Sequence, residues 1–562
     1  MLPTNHSDLA DLRRSTGSSG SDASGNVMAF IDVHDVDTLL RGGWVHAGPP
    51  TKDQLAHVQP ARFMHHLHPS ASTVRFHAGT PAESLAGRSL MVPCGQCLGG
   101  GSSVNFAMYS RGSASDFDDW ETIHKNPGWG SKDLLPLMKK TETYQVKPDA
   151  LNHGYAGPLK VSNGGIYTNV GQQYLDVATR FDTARKAGED VNDLVSVNIY
   201  GRWQKWIDKE TGKRSDVPHH FIYNQQETTP NLHIVTGVLV KRVLFDGNRA
   251  TGVEYGWNLR HYPDQDNTLR PVHAKKLVVL SAGTFGSPGI LERSGVGRKS
   301  VLEPLSIPPL VELDGVGESY QDHNVIFAPY LAAPEADTLD AVARNDTDSI
   351  SALSGEWFKN GQGLMAHNGI DIGVKMRPNS VEELAEFGPE FKKRWDTYFE
   401  RAPDKPVIWM GQVAIIADVK PMMWGYKMTR EIARRMPLFE GEYAPMHPVF
   451  PPGSKAGILE GPPVPFDTPR VVYTEDDDKA IELYTRQFVS TAWHSLGTCA
   501  MKPREEGGVV DPRLNVYGLE GIKVCDISIA PSNVGANTYA TALTIGEKAA
   551  LILAEEFGIE GV

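Results

Sequence analysis

The stretch from Lys275 to Gly295 limits the choice of fold more than any other part of the sequence. Lys275–Ser281, KKLVVLS, is a short run of apolar and β-branched residues of the kind that forms a buried strand. It leads into a glycine turn, Ala282–Pro288, and then into a short helical segment, ILERSG. A strand, a glycine turn and a helix form a nucleotide-binding geometry, because the first turn of a helix attracts anions. The stretch therefore predicts an α/β fold with a nucleotide site.

The bulk composition excludes several classes of protein. The chain has 562 residues, too many for one simple core, so we expect at least two intertwined domains. A formal net charge of −13 and an isoelectric point of about 5.8 argue against nucleic acid or an anionic membrane as the main partner. No run of about 18 apolar residues is present, so we predict no membrane span.

The two ends of the sequence and its cysteines bear on the compartment. Met1–Asn26 is polar and rich in Ser, Gly and Asp, without the apolar core of a secretion signal. The last residues, Gly558–Val562, do not match the SKL type of peroxisomal address. Only four cysteines occur, which fits a reducing compartment without a disulfide framework. We therefore expect an intracellular protein, cytoplasmic or peroxisomal, that is not secreted.

Two groups of residues resemble metal or thiol sites. Four histidines lie close together in the sequence: His65, His66, His68 and His77. No cysteine or carboxylate completes a ligand set around them, so we expect no metal site. Cys94 and Cys97 form a C-x-x-C motif, which occurs in thioredoxin-like redox pairs and in zinc ribbons. The second pair that a zinc ribbon needs is missing, and the motif alone does not settle its role.

The glycine pattern indicates one candidate ligand loop, but the glycine fingerprint of a dinucleotide-binding unit is not found near the N-terminus. In Gly99–Ser103, GGGSS, the backbone can approach a ligand closely, and successive N–H groups can bind phosphate or a polarised ring. In the first 50 residues, however, no two glycines have the G-x-G spacing, so the fingerprint of a dinucleotide-binding βαβ unit cannot be placed there. We predict that residues 1–45 are atypical and poorly ordered, with a flexible segment at Thr16–Gly25.

The candidate reacting residues lie near the C-terminus. His494 follows a predicted helix and stands between Trp493 and a small-residue turn. Asn537 comes directly before the last predicted helix, Thr538 to Glu556. A histidine is a suitable base for an alcohol proton, and an amide can hold the alcohol oxygen. The alternatives are a buried histidine bonded to the backbone and an asparagine that serves as a helix N-cap.

Three blocks, in this order, resemble the glucose–methanol–choline (GMC) oxidoreductases, a family that binds FAD. They are LGGGSSVN at Leu98–Asn105, SAGTFGSPGILERSGVG at Ser281–Gly297, and WHSLGTCAM at 493–501 together with the run Asn533–Ala550. Within the family, the chain looks most similar to FAD-dependent short-chain alcohol (methanol) oxidases of fungal type. One departure is His46, which stands where the family has a ribose-binding glutamate.

The resemblance implies an α/β fold in which an FAD-binding Rossmann-like domain is interleaved with a substrate domain of antiparallel sheet plus helices. The FAD-binding domain would comprise residues 46–165, 233–330 and 505–562. The substrate domain would comprise residues 166–232 and 331–504. Because the glycine fingerprint cannot be placed, we expect the N-terminal βαβ unit to be incomplete.

The resemblance also implies the roles of individual residues. His494 and Asn537 would be catalytic, and Phe106 and Trp493 would keep the substrate pocket small. The residues expected to bind FAD are Gly100, Gly101, Ser102, Asn105, Val240, Asp526 and Thr538.

By the same resemblance, the expected reaction is oxidation of a primary alcohol to an aldehyde, with O₂ reduced to H₂O₂, as in peroxisomal methanol metabolism. The partners would be a small alcohol and O₂. A homo-oligomer is also compatible with the resemblance, since similar oxidases form large assemblies. The alternatives are an oxidase or dehydrogenase that tailors a larger alcohol in secondary metabolism, a flavin-dependent lyase, and a degenerate paralogue that lacks FAD.

Overall fold

The computed structural model of the chain describes residues 26–27, 42–225, 229, 232–411, 414–416 and 419–560. Most of residues 1–45, for which we expect poor order, lie outside this description. Two short strands near that end are described: Asn26–Val27 pairs in parallel with Gly42–His46, which pairs in parallel with Leu232–Thr236. Residues 28–41 lie outside the described part, so the incomplete N-terminal βαβ unit stays a prediction.

The predicted strand at Lys275–Ser281 is present as Val278–Leu280, which pairs in parallel with Ile522–Val524. All three residues of Val278–Leu280 are fully buried, because helices and strands cover both faces. Burying each such side chain contributes about 1.5–3 kcal/mol. This pair of strands anchors the largest apolar core of the described chain, which also includes Leu291, Ile545 and Ala549.

The helix after this strand starts earlier than the sequence indicates. It spans Gly283–Arg293 and contains Pro288, which has no N–H to give to the carbonyl four residues back. That carbonyl, of Thr284, instead accepts a hydrogen bond of 2.6 Å from Thr498 Oγ1. The Thr284 hydroxyl in turn donates to the Ser495 carbonyl at 2.6 Å. The helix start and the His494 segment are therefore tied together.

Two other regions of sheet surround this core. The segment after residue 231 folds as three strands, Leu232–Thr236, Val238–Asp246 and Arg249–Trp257, with a turn at Gly247. The largest sheet of the described residues has seven strands and is antiparallel except at one edge. In spatial order its strands are Ser490–Thr491, Asn324–Ile326, Ala414–Ile416, Ile408–Gly411, Ile372–Met376, Ile199–Arg202 and Lys186–Ala187. It agrees with the expected antiparallel sheet, whereas the proposed domain boundaries stay predictions.

The remaining elements cover these sheets. The other described strands are Arg270–His273, Val74–Ala78, Met91–Gly95, Glu142–Tyr144, Leu159–Val161, Val296–Gly297, Val311–Glu312, Tyr330–Ala332 and Phe439–Glu442. The longer α-helices are Ala114–Thr122, Ser131–Thr141, Asn169–Phe181, Gly283–Arg293, Thr347–Asn360, Val419–Ala433, Glu475–Phe488 and Tyr539–Phe557. The shorter ones are Leu55–Val58, Lys299–Leu302, Asp340–Ala343, Val381–Ala385 and Gly388–Arg394. None of the described helices combines the length and apolar character that crossing a bilayer requires.

Buried charges link loops to this framework. Arg430 is fully buried and donates to the carbonyls of Ala456 and Gly457 at 3.0 and 2.9 Å. Arg434 and Arg435, which directly follow the helix that carries Arg430, donate to carbonyls of residues 466–469. Three guanidinium groups thus hold a loop that has little regular structure of its own.

A second buried group of charges surrounds His153. Its two ring nitrogens lie 3.0 Å from carboxylate oxygens of Glu142 and of Asp190. Arg111 binds the same Glu142 oxygen at 2.8 Å. Although burial opposes a charge on the ring, the hydrogen bonds to Asp190 and Glu142 raise the pKa of His153 above its usual value.

Candidate active site

A cavity of about 690 Å³ lies between the parallel strands and the antiparallel sheet. Its volume is within the range of cofactor and ligand sites. Every residue that the sequence analysis assigns to catalysis, FAD or the substrate pocket lines it. These residues are Gly100, Gly101, Ser102, Asn105, Phe106, Val240, Trp493, His494, Asp526, Asn537 and Thr538.

The backbone around His494 is held by a single carboxylate. Asp322 Oδ1 accepts from the N–H of His494 at 2.8 Å, and Asp322 Oδ2 accepts from Ser495 Oγ at 3.0 Å. The preceding residue, Trp493, has a φ of 61°, a left-handed conformation that costs an L-residue energy. This turn places the His494 ring toward the cavity while the Trp493 ring packs against Phe106, with ring centroids 5.2 Å apart.

Asn537 is in direct contact with His494. Its Nδ2 donates to His494 Nε2 at 3.0 Å. The amide orientation follows from Ser110, whose Oγ accepts from the Asn537 N–H at 3.0 Å and donates to Asn537 Oδ1 at 2.7 Å. Asn537 is not the N-cap of the last helix, because Thr538 occupies that position. The structure therefore brings the two predicted catalytic residues together, although 43 positions separate them in the sequence.

The sequence analysis missed His323, which completes this arrangement. Its Nδ1 lies 3.0 Å from His494 Nδ1, and the two rings meet edge to face. Burial and the neighbouring His323 hold the pKa of His494 well below its usual value, and burial lowers the pKa of His323 to about 4. Both rings are therefore neutral at pH 7. No local pattern singles out His323, since its partner is 171 residues away.

The glycine loop fits a flat or phosphorylated ligand. A Cβ added at Gly100 or at Gly101 would meet no atom within 4 Å, so both residues present bare backbone to the cavity. Ser102 supports the loop, since its Oγ donates to the Gly99 carbonyl at 2.7 Å and accepts from Val217 N–H at 3.1 Å. This open cradle agrees with a large cofactor such as FAD.

The side-chain oxygens of Asn105 and Asp526 accept hydrogen bonds from the chain itself. Asn105 Oδ1 accepts from Arg214 Nη1 at 2.8 Å. Asp526 Oδ2 accepts from the N–H of Gly283 at 3.0 Å and from Ser287 Oγ at 2.5 Å. Asp526 therefore fixes the start of the helix that follows the central strand, at the wall of the cavity.

Val240 and Thr538 also line the cavity. Val240 lies in the strand Val238–Asp246 next to a β-bulge, where the ladder is interrupted and backbone groups become available to a ligand. Thr538 precedes the first turn of the C-terminal helix Tyr539–Phe557.

His46 also lines the cavity, at the carboxyl end of its strand. Its Nδ1 accepts from the Gly48 N–H at 3.0 Å, and burial lowers the pKa of His46 to about 4. The ring is therefore neutral, with its hydrogen on Nε2. In dinucleotide-binding folds an acidic residue at this position accepts from the ribose hydroxyl, whereas His46 can only donate.

The C-x-x-C motif and the histidine group near residue 65 have structural explanations. Burial raises the pKa of the Cys94 thiol to about 12 and that of Cys97 higher still, so neither thiol is a reactive thiolate. Cys94 and Cys97 are both unpaired in the structure. His65 and His66 hydrogen-bond to backbone carbonyls, and no group of three His, Cys, Asp or Glu side chains among the described residues is arranged to hold a metal ion.

Comparisons with known proteins agree with this geometry. Family models described as GMC oxidoreductase match residues 21–325 and 396–546. The chain is 36% identical to alcohol oxidase 1 of Komagataella phaffii, over 97% of this chain and 94% of the relative. It is 35% identical to an alcohol oxidase of Candida boidinii, over 89% of each chain.

A solved structure gives the same fold. A formate oxidase of Aspergillus oryzae, studied for its FAD modification, superposes with a TM-score of 0.77 at 19% identity, covering 95% of this chain and 99% of that one. Enzymes of the matched family bind FAD. The family resemblance predicted from the three sequence blocks and the α/β fold with FAD-binding and substrate domains are therefore confirmed, and this chain belongs to the GMC oxidoreductase family.

Proposed function

We propose that the chain oxidises a small primary alcohol to an aldehyde, with O₂ as the final oxidant and H₂O₂ as the second product. The observation that carries the proposal is the contact between Asn537 Nδ2 and His494 Nε2 at the wall of the cavity. The relatives named alcohol oxidases support the choice of substrate class. When bound, FAD would accept the hydride from the alcohol carbon and pass the electrons to O₂.

His494 and Asn537 would act on the alcohol oxygen from two sides. The lone pair on His494 Nε2 would accept the O–H proton, and a neutral ring at pH 7 is ready to do so. Asn537 Nδ2 would donate to the same oxygen and hold it as negative charge develops. The two groups bond to each other in the structure, so the alcohol oxygen would replace that contact.

The aromatic wall favours a small substrate. Phe106 packs against Trp493 at 5.2 Å and against Phe63 at 4.1 Å between ring centroids. This cluster of rings leaves little room beside His494 for a branched or aromatic alcohol. Methanol as the physiological substrate, a peroxisomal location and a homo-oligomer stay predictions from the resemblance.

FAD would be held by the bare backbone at Gly100 and Gly101, the bulge at Val240 and the helix start near Asp526. The affinity for FAD is the first quantity to measure, because the first 50 residues contain no G-x-G-x-x-G fingerprint. An absorption spectrum of the purified chain, with and without added FAD, separates an FAD enzyme from a degenerate paralogue.

The activity test uses oxygen uptake and peroxide formation with methanol, ethanol, 1-butanol and benzyl alcohol. We expect turnover that falls as the alcohol grows, and loss of at least about 100-fold in kcat for His494→Ala. A Phe106→Ala variant is the matched control, and it should gain activity on the larger alcohols. Unchanged turnover of His494→Ala, or preference of the unmodified protein for benzyl alcohol, would contradict the proposal.

A further inference from the structure

The hydrogen bonds around His494 define where each ring hydrogen lies. Asn537 Nδ2 carries only hydrogens to donate, so His494 Nε2 must be a bare acceptor. A neutral His494 then carries its hydrogen on Nδ1, 3.0 Å from His323 Nδ1. His323 Nδ1 must therefore be the acceptor of that bond.

The tautomer of His323 is also defined by its hydrogen bonds. A neutral His323 whose Nδ1 accepts carries its own hydrogen on Nε2, and the ring hydrogen-bonds to the backbone of Val534. The bonds run in one direction, from the amide of Asn537 through His494 and His323 to a backbone acceptor. Each imidazole has one form only that satisfies both of its neighbours.

We propose that His323 is a positioning residue that accepts the Nδ1 proton of His494 when His494 Nε2 takes the proton of the alcohol. This inference rests on the proposed function. In the step, the alcohol O–H bond breaks and a His494 Nε2–H bond forms, while the Nδ1–H bond of His494 breaks and a His323 Nδ1–H bond forms. The hydride leaves the alcohol carbon with its electron pair for FAD. His494 ends neutral, and the positive charge ends on His323.

Burial opposes a charge on His323, and one carboxylate and a backbone group partly offset that effect. Asp116 is the carboxylate whose charge acts on the ring, and it is fixed by Lys405 at 2.9 Å and by the Gly535 N–H at 2.8 Å. Asp322 lies on the backbone side, where it accepts from the N–H of His323 at 2.7 Å. Among the described residues, the only titratable side chain bonded to the Asp322 carboxylate is Tyr320, at 2.9 Å.

Two substitutions separate proton acceptance from simple support. In His323→Gln the amide oxygen still accepts from His494 Nδ1 but cannot take its proton, whereas His323→Leu removes both capacities. We expect kcat to fall about 100-fold in both variants, with KM and the flavin spectrum close to those of the unsubstituted protein. If His323 only orients His494, His323→Gln should be much more active than His323→Leu. A kcat of His323→Gln within about 3-fold of the unsubstituted value would overturn the proposal.

A measurement that needs neither FAD nor turnover distinguishes failure of this inference from failure of the proposed function. In ¹⁵N-histidine spectra of the protein, assigned with His323→Gln and His494→Gln, we expect hydrogen on Nδ1 of His494 and on Nε2 of His323. Hydrogen on His494 Nε2 would overturn the proposal whatever the activity. If the tautomers are as expected and no alcohol is oxidised, the proposed function fails and the proton chain stands. Melting temperatures show whether either variant is misfolded.

Discussion

The hydroxyl of Ser110 decides which way the Asn537 amide points, and its removal gives a quantitative test. Ser110→Ala deletes two hydrogen bonds, one from the Asn537 N–H at 3.0 Å and one to Asn537 Oδ1 at 2.7 Å. Each contributes about 0.5–1.5 kcal/mol net, so the total loss of stability is about 1–3 kcal/mol. The bond to Oδ1 is the one that keeps Nδ2 toward His494.

Loss of that bond allows the amide to turn over and present its oxygen to His494 Nε2. The ring would then place its hydrogen on Nε2 and lose the lone pair that accepts the alcohol proton. A preference of about 1.4 kcal/mol corresponds to a factor of ten, so we expect kcat to fall about tenfold with little change in KM. Steady-state oxygen uptake measures kcat, and urea unfolding measures stability.

Ser454→Ala is the matched control. Its Oγ also makes two hydrogen bonds, to Asp477 Oδ1 at 2.6 Å and from the Ala456 N–H at 2.9 Å, but it lies away from the cavity. It should lose similar stability and keep its kcat. Ser110→Thr, which retains a hydroxyl, should recover part of the activity. Equal kcat for Ser110→Ala and Ser454→Ala would refute the reasoning.

Three further predictions concern the cofactor loop, a buried ion pair and pH. Gly101→Ala should weaken FAD binding roughly tenfold in a fluorescence titration, because the new Cβ points into the glycine loop that would hold FAD. Its melting temperature should not change. The control variant Gly355→Ala, on an open helix face, should not affect FAD binding. Lys405→Met should lose about 3–5 kcal/mol in urea unfolding, because it leaves the buried carboxylate of Asp116 without its partner at 2.9 Å, and adding Asp116→Asn should recover part of that loss. The raised pKa of His153 stabilises the fold fully below pH about 6.5, and this contribution is lost as pH rises through the raised value. Above pH about 6.5 the unfolding midpoint should therefore fall with pH more steeply than in His153→Gln. Equal pH slopes for the two proteins would contradict that assignment.

Local pattern was sufficient for elements whose residues all lie close in sequence. The apolar run at Lys275–Ser281 predicts its strand because burial on both faces needs nothing but apolar side chains. The start of the next helix could not be predicted, because it depends on a distant residue. Pro288 has no N–H for the Thr284 carbonyl, which accepts instead from Thr498, 214 positions along the chain.

In the candidate site too, residues in local motifs were predictable, and residues that act through long-range contacts were not. His494 and Asn537 were predictable because each sits in a recognisable motif. His323 was not, since its importance comes from a 3.0 Å contact across 171 positions and from the hydrogen that this contact forces onto one nitrogen. Asn105 and Asp526, which the resemblance assigns to FAD binding, line the cavity, but sequence motifs did not reveal that their oxygens are bonded to the chain itself.

Arg430 in the helix Val419–Ala433, together with Arg434 and Arg435 just after it, has a consequence for how this protein can change. They hold the neighbouring loop through backbone carbonyl oxygens, which every amino acid possesses, and not through its side chains. The arginines, and not the side chains of the loop, therefore determine the path of the loop. Substitutions in the loop should cost little stability. Loop residues whose carbonyls meet a guanidinium tolerate substitution but not deletion, and exchange of the arginines for lysine removes the fork that spans two carbonyls at once.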